Sequence, residues 1–160
     1  MNKKIIIASI LVLAIDQLSK LVLNMVFYLN STYKVISKFF YITNIHNAGA
    51  AWGLFNNQRW LLVGVSILSL ILIIFMMKEY KNSKLKLWGF SLLIGGLLGN
   101  LVDRIIFGYV RDFFDFYIFG YDFPIFNVAD IGVVVGILIL IILIIKGDLV
   151  NEDRSKGKWY

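Results

Sequence analysis

The chain contains no cysteine, one proline and one histidine. Without cysteine there are no disulfides and no thiolate metal sites. With His46 alone, clusters of imidazole ligands are excluded too, so neither metal nor cofactor is expected. Charge is also scarce: 16% of the 160 residues are charged against 59% hydrophobic, and the mean hydropathy is +0.79. A soluble domain is nearer a quarter charged and roughly half apolar. The shortage excludes an ordinary soluble domain. A net charge of +6 could suggest a nucleic-acid partner, but in a membrane protein it reflects basic cytoplasmic loops, and no nucleic acid is expected.

What the chain has in quantity is apolar sequence. A bilayer core about 30 Å thick needs roughly 20 apolar residues per helix. Four runs qualify, at about 5–27, 60–77, 85–104 and 130–145, with a polar cytoplasmic tail at 146–160. They read as a single integral membrane domain, 1–160. The amino end, Lys3-Lys4 then Ile5–Ile15, imitates a cleavable leader. Asp16-Gln17-Leu18-Ser19-Lys20 stands where a small-residue cleavage site would be, so a retained span is expected. Lys3, Lys4, Lys78, Lys81, Lys84, Lys86, Lys146, Arg154, Lys156 and Lys158 fall on one side of such a bundle. Lys34, Lys38, Arg59, Arg104 and Arg111 fall on the other. Both termini are therefore expected in the cytoplasm, with segments 28–59 and 104–129 outside.

The outer segments are not ordinary polar loops. Tyr33–Ile45 and Tyr109–Phe126 are rich in β-branched and aromatic residues and read as short strands on the membrane surface. Residues Ala48 to Phe55 suggest a short interfacial helix. Polar residues of three spans converge in the same leaflet. At 1.5 Å per residue, Asp130 lies about 24 Å above the inner boundary, Asn100 about 20, Asp103 about 24, Asp16 about 17 and Lys20 about 23. Asp112 and Asp130 flank the point where the chain re-enters the membrane. Carboxylates are costly there, and a pair suggests one shared proton and an activated water, the chemistry of an aspartic peptidase.

Structural explanations stand beside that one. Asp16 and Lys20 have the i, i+4 spacing of a self-neutralising pair. Asp103 and Arg104 could pair at the interface, with Arg104 snorkelling outward. Asn127 and Asp130 have the spacing of a helix cap. Asp115 and Asp122 read as solvated loop carboxylates, His46 as an exposed loop residue, and Gly95, Gly96 and Gly99 as close-packing positions. Asp112 has the weakest such explanation. A zinc peptidase would need HExxH, a rhomboid-like enzyme a histidine deep in a helix, and a presenilin-like enzyme GxGD; none is present. The alternative outside proteolysis is a small four-helix transporter coupling protons or cations at Asp16, Asp103 and Asp130.

Ordered blocks then decide between these. Asp16-Gln17 with Lys20, Asn47-Ala48-Gly49-Ala50-Ala51-Trp52-Gly53, Gly99-Asn100 with Asp103-Arg104, Gly108 to Phe113, and Phe126-Asn127-Val128-Ala129-Asp130 follow one another along the chain. In these blocks the sequence resembles the lipoprotein signal peptidases (type II signal peptidases) of bacteria over nearly its whole length. The resemblance implies an all-α membrane protein, four transmembrane helices with a small extracytoplasmic β-cradle and a short surface helix. It implies an aspartic dyad at Asp112 and Asp130, supported by Asp16, Lys20, Asn47, Gly49, Asn100, Asp103, Arg104, Asn127 and Ala129. It further implies a diacylglyceryl prolipoprotein substrate cut just before the lipidated cysteine. The setting is the bacterial cytoplasmic membrane with the site at the outer leaflet; membrane lipid is a partner, globomycin an inhibitor, and the chain a monomer. One departure is visible: the family commonly has serine where Ile131 stands, so a hydroxyl contact there is in doubt.

Overall fold

A computed structural model describes residues 3–77 and 83–146. The polar tail expected after Lys146 lies outside the described residues, as do Lys78 and Lys81. Among the described residues, four helices are long and apolar enough to cross a membrane: α1 (Lys3–Val26), α2 (Arg59–Met77), α3 (Lys84–Ile106) and α4 (Val128–Ile145). In hydrocarbon a backbone must satisfy its own hydrogen bonds, so runs such as the Ile, Leu, Val and Gly of α4 have no alternative to helix. The outer segments supply β1 (Thr32–Ile36), β2 (Phe40–Asn47), β3 (Val110–Ile118) and β4 (Tyr121–Asp122). These pair antiparallel in the order β1-β2-β3-β4. The expected fold class is the observed one.

The hub is α3, packed against α4, α1 and α2, whereas the other three helices turn broad apolar faces outward. Two glycines allow the close approach. A Cβ on Gly96 would collide with the Ala129 carbonyl, and one on Gly99 with the Asp16 carboxylate. Small residues serve membrane helices in this way because lipid gives no hydrophobic drive for association. Below them, Phe90, Leu93, Ile94, Leu140 and Leu143 form the buried core.

The sheet is tied to the bundle at each end. The Asn44 amide donates to the Phe27 carbonyl at 2.9 Å, anchoring β2 to the exit of α1. Arg59, at the start of α2, donates to the Ile105 carbonyl at 2.5 Å, supplying the exposed end of α3 with a cation. Between Ile42 and Ile45 the register of β2 against β3 slips by a bulge. Beyond it, Ile45 pairs with Asp112 and His46 with Arg111.

Four local expectations are corrected. The helix foreseen at 48–55 is only a 3-10 turn, Ala51–Gly53, because Ala50 supplies no side-chain cap and Trp52 adopts φ 54°. Asp115 is not a solvated loop carboxylate: it is buried in β3 and accepts from the Thr43 hydroxyl at 2.6 Å. His46 is exposed as expected but stands on a strand, stacked on Tyr109 with centroids 3.8 Å apart. Arg104 does not pair with Asp103 but donates to the Gly49 carbonyl at 3.1 Å. Left-handed backbone costs an L-residue roughly 1–2 kcal/mol. Trp52, Phe55 and Phe119 all carry it despite their bulk, with φ of 54°, 55° and 52°.

Candidate active site

The short run between β4 and α4 ends at Asn127, whose extended backbone and amide side chain open the last helix. Its Oδ1 accepts from the Asp130 N–H at 3.0 Å, and its own N–H donates to the Asp130 carboxylate at 3.1 Å. That reciprocal box starts α4 at Val128 and holds Asp130 at the positive end of the helix, where a carboxylate is favoured. The cap expected from the sequence is present, yet Asn127 does more than cap. Its Nδ2 also donates to Asp112 at 2.6 Å and to the Asn100 oxygen at 3.1 Å. One buried asparagine therefore touches both aspartates.

Asp112 comes from the other direction. Alternation along β3 sends neighbouring side chains to opposite faces. Arg111 turns toward α3, where it grips the Asp103 carboxylate at 2.7 Å, while Asp112 turns to the opposite side. There it also accepts from the Asn47 amide at 2.9 Å. Burial pushes the Asp112 carboxyl up to about 6, and the nearby Asp130 charge pushes the same way, against the amides of Asn47 and Asn127. Both carboxylates line one cavity of about 620 Å³, with Asn47, Asn100 and Arg104 on its wall. The rest of the lining is largely apolar, including Phe126, Ile131 and Val134.

Beneath the cavity lies a closed polar network. The Lys20 ammonium meets Asp16 at 2.8 Å, Asp103 at 3.3 Å and the Asn100 oxygen at 3.1 Å. Three acceptors match its three N–H groups, which is how a lysine can be fully buried here. Because Lys20 and Asn127 both donate to the Asn100 oxygen, the Asn100 amide nitrogen must face Asp130, to which it donates at 2.7 Å. Asp16 reaches across to accept from the Ala129 N–H at 2.9 Å, joining α1 to the first turn of α4. Gly49 presents its carbonyl to Arg104 and its N–H to the Asn47 oxygen at 2.9 Å.

The dyad and the supporting residues read from the sequence thus belong to one connected assembly. Asp112, Asp130, Asn47, Asn100 and Arg104 face the cavity. Asp16, Lys20, Asp103 and Ala129 stand behind it. Asp103 does not line the cavity, and Arg111, Lys20 and Gln17 occupy its oxygens. Gln17 and Arg111 were missed as participants. Gln17 donates to Asp16, to the Gly99 carbonyl and to Asp103, and accepts from Arg111 at 2.8 Å. Its signal was an amide in an apolar span, which needs partners. Ile131 brings no hydroxyl to Asp130, whose two oxygens accept from Asn100 and from the Asn127 N–H.

The cavity is bounded by two carboxylates, two asparagines and an arginine and walled by apolar side chains, and the chain that forms it has relatives among known proteins. The sequence profile of signal peptidase (SPase) II matches residues 8–146. A lipoprotein signal peptidase of Staphylococcus haemolyticus is 42% identical over 142 residues, covering 88% of this chain and 90% of that one. One from Moorella thermoacetica is 43% identical over 136 residues, with 84% and 88% covered. One from Staphylococcus aureus is 36% identical over 161 residues, with 97% and 99% covered. Among solved structures, a bacterial membrane enzyme determined by the in meso method at 2.3 Å superposes with a TM-score of 0.81 at 32% identity, over 98% of this chain and 93% of that one. A second, at 1.9 Å, gives 0.79 at 35% identity, over 89% and 92%.

Proposed function

The chain belongs to the signal peptidase II family, and on that premise we propose that it removes the signal peptide from diacylglyceryl prolipoproteins as an aspartic endopeptidase, with Asp112 and Asp130 as the dyad. The observation that carries this reading is Asn127, which holds one carboxylate with its side-chain amide and the other with its backbone, both facing one cavity.

Two carboxylates joined through one asparagine, with the charge of one acting on the other, keep one proton between them. Asp112 is the better holder. It is buried at 2% exposure, which disfavours its charged form, whereas Asp130 belongs to the capping box that starts α4. The ionised carboxylate draws a proton from water as the water attacks the scissile carbonyl. The protonated one donates to the carbonyl oxygen. The tetrahedral intermediate then collapses as the leaving amine takes a proton, with no covalent enzyme intermediate. Such general acid–base help contributes about 10²–10⁴-fold, leaving positioning and fixed dipoles to supply the rest. Asn47, Asn100, Asn127 and Arg104 are the groups available for that, with Asp16, Lys20, Gly49, Asp103 and Ala129 holding them in place.

Charge supports the shared proton. Around the cavity and the network below it, Lys20, Arg104 and Arg111 oppose Asp16, Asp103, Asp112 and Asp130, so retaining one proton makes the cluster neutral in a region where net charge is costly. The substrate's acyl chains remain in the bilayer and bring the bond before the lipidated cysteine to the outer leaflet, where we place the site, with both termini cytoplasmic. The cavity is of a size for a peptide segment, and globomycin would occupy it. The chain acts as a monomer and a single domain. A proton- or cation-coupled transporter has no support: Asp16 and Asp103 are closed off by Lys20 and Arg111, and the matching family is a peptidase family.

The test is turnover of a diacylglyceryl prolipoprotein by purified enzyme. Asp112→Asn and Asp130→Asn should each abolish it while the protein still inserts and binds globomycin-like peptides. Near-normal turnover by either variant rejects the dyad.

A further inference from the structure

The two-residue turn of the β3–β4 hairpin is Phe119–Gly120, between the pairs Ile118↔Tyr121 and Tyr117↔Asp122. Both turn residues have positive φ, 52° and 81°. Turns of this kind are normally filled by Asn-Gly or Asp-Gly, because the first position disfavours a bulky side chain. Here that position holds phenylalanine, and the ring is fully exposed at 106%. Ile118, Tyr121 and Phe123 around it are exposed as well. A second aromatic–glycine pair with positive φ, Trp52–Gly53 at 54° and 72°, lies in the 3-10 turn on the cavity's lining, and its indole is exposed. The two rims meet where Trp52 Nε1 donates to the Tyr121 hydroxyl at 3.0 Å. A residue that opposes its local backbone and covers no core points to a role outside the protein.

What covers this tip follows from its continuity with the lipid-facing surface. From Phe123 the chain runs along the cavity through Pro124, Ile125 and Phe126 to α4, whose outer turns expose Ile131 and Val134. Apolar rings mixed with tyrosine and tryptophan edges suit the boundary between headgroups and acyl chains. We propose that Phe119 is a membrane wedge: the β3–β4 hairpin seats its tip in the outer-leaflet boundary and so holds the mouth of the cavity at the level of the lipid. The occupant is lipid rather than a protein partner or a second copy of the chain. The proposal rests on the membrane setting of the four helices and not on the catalytic assignment.

The chain has no cysteine, so one introduced residue carries a unique label. A nitroxide on Phe119→Cys in proteoliposomes should be more accessible to oxygen than to a water-soluble nickel chelate, and the reverse should hold on Asp122→Cys. A label at 119 that is open to nickel, or shielded from both reagents as inside a protein contact, overturns the proposal. Phe119→Asn then separates a structural role from the wedge. Asparagine suits the turn better, so melting in detergent should be unchanged or later. Turnover of a lipidated precursor should fall several-fold in liposomes and not in detergent. Equal turnover in liposomes overturns the wedge. Absence of turnover in the wild type would instead count against the peptidase reading, leaving the label result to stand alone.

Discussion

At the scale of the residue, the site is a problem of holding charge where water is scarce. Removing one partner of a buried ion pair typically costs about 3–5 kcal/mol, because the other charge is left uncompensated. That is why Asp16, Lys20, Asp103 and Arg111 interlock, whereas Asp112 accepts from the amides of Asn47 and Asn127 and its carboxyl is pushed up by burial. Its pKa of about 6 in the fold exceeds the ordinary 3.8, so the folded protein binds the proton more tightly than the unfolded chain. Stability on this account is greatest below about pH 4, declines as pH rises through that window, and is lower by on the order of 3 kcal/mol above it. Asp112→Asn should therefore be more stable than wild type above pH 6, with the difference vanishing below pH 4. Denaturant unfolding in detergent across that range checks this. A difference that does not change with pH would show that Asp112 is not held protonated by the fold.

At the scale of the element, two features place the dyad: the first turn of α4 and the alternation of β3. Asn127 serves both a helix cap and the link between carboxylates, and substitution separates the two. Asn127→Ser keeps an oxygen to cap the helix but loses the Nδ2 donations to Asp112 and Asn100. Loss of a cap outright costs about 1 kcal/mol, so the serine variant should melt within a few degrees of wild type. Its turnover should fall at least tenfold. Parallel small losses in both would reduce Asn127 to a cap. The cap was legible from spacing alone, and so were the helices, since period and length suffice for apolar runs of this kind. The failed surface helix was not. Ala48 to Phe55 has the composition of a helix, but the Asn47 side chain takes the Gly49 N–H and the chain turns left-handed at Trp52.

At the scale of the whole molecule, the bundle is asymmetric. Its polar network and its cavity lie at the end where the sheet closes over the helices, and the core of Phe90, Leu93, Ile94, Leu140 and Leu143 fills the other. The orientation proposed from the basic residues puts the sheet end outside the cell. With no native cysteine, single substitutions at Ser83 and Thr32 report it directly. A membrane-impermeant maleimide added to intact cells lacking an outer membrane barrier should label Thr32→Cys at once and Ser83→Cys only after lysis. The opposite pattern would invert the topology and remove the site from the leaflet where a lipidated precursor waits.

The sequence alone determined the spans, the membrane setting and the residue types of the site, because lipid imposes one rule on every segment: apolar outside, hydrogen bonds within. It also made the family legible, through blocks such as Asn127 to Asp130 that keep their order along the chain. Only the tertiary structure decided which polar groups meet. Asp103 and Asp112 look alike in sequence, yet Arg111 claims the first, while strand alternation turns the second into the cavity. Gln17 acquires its role only once α1, α3 and β3 converge on it, since a hydrogen bond depends on distances of about 3 Å that no linear spacing encodes.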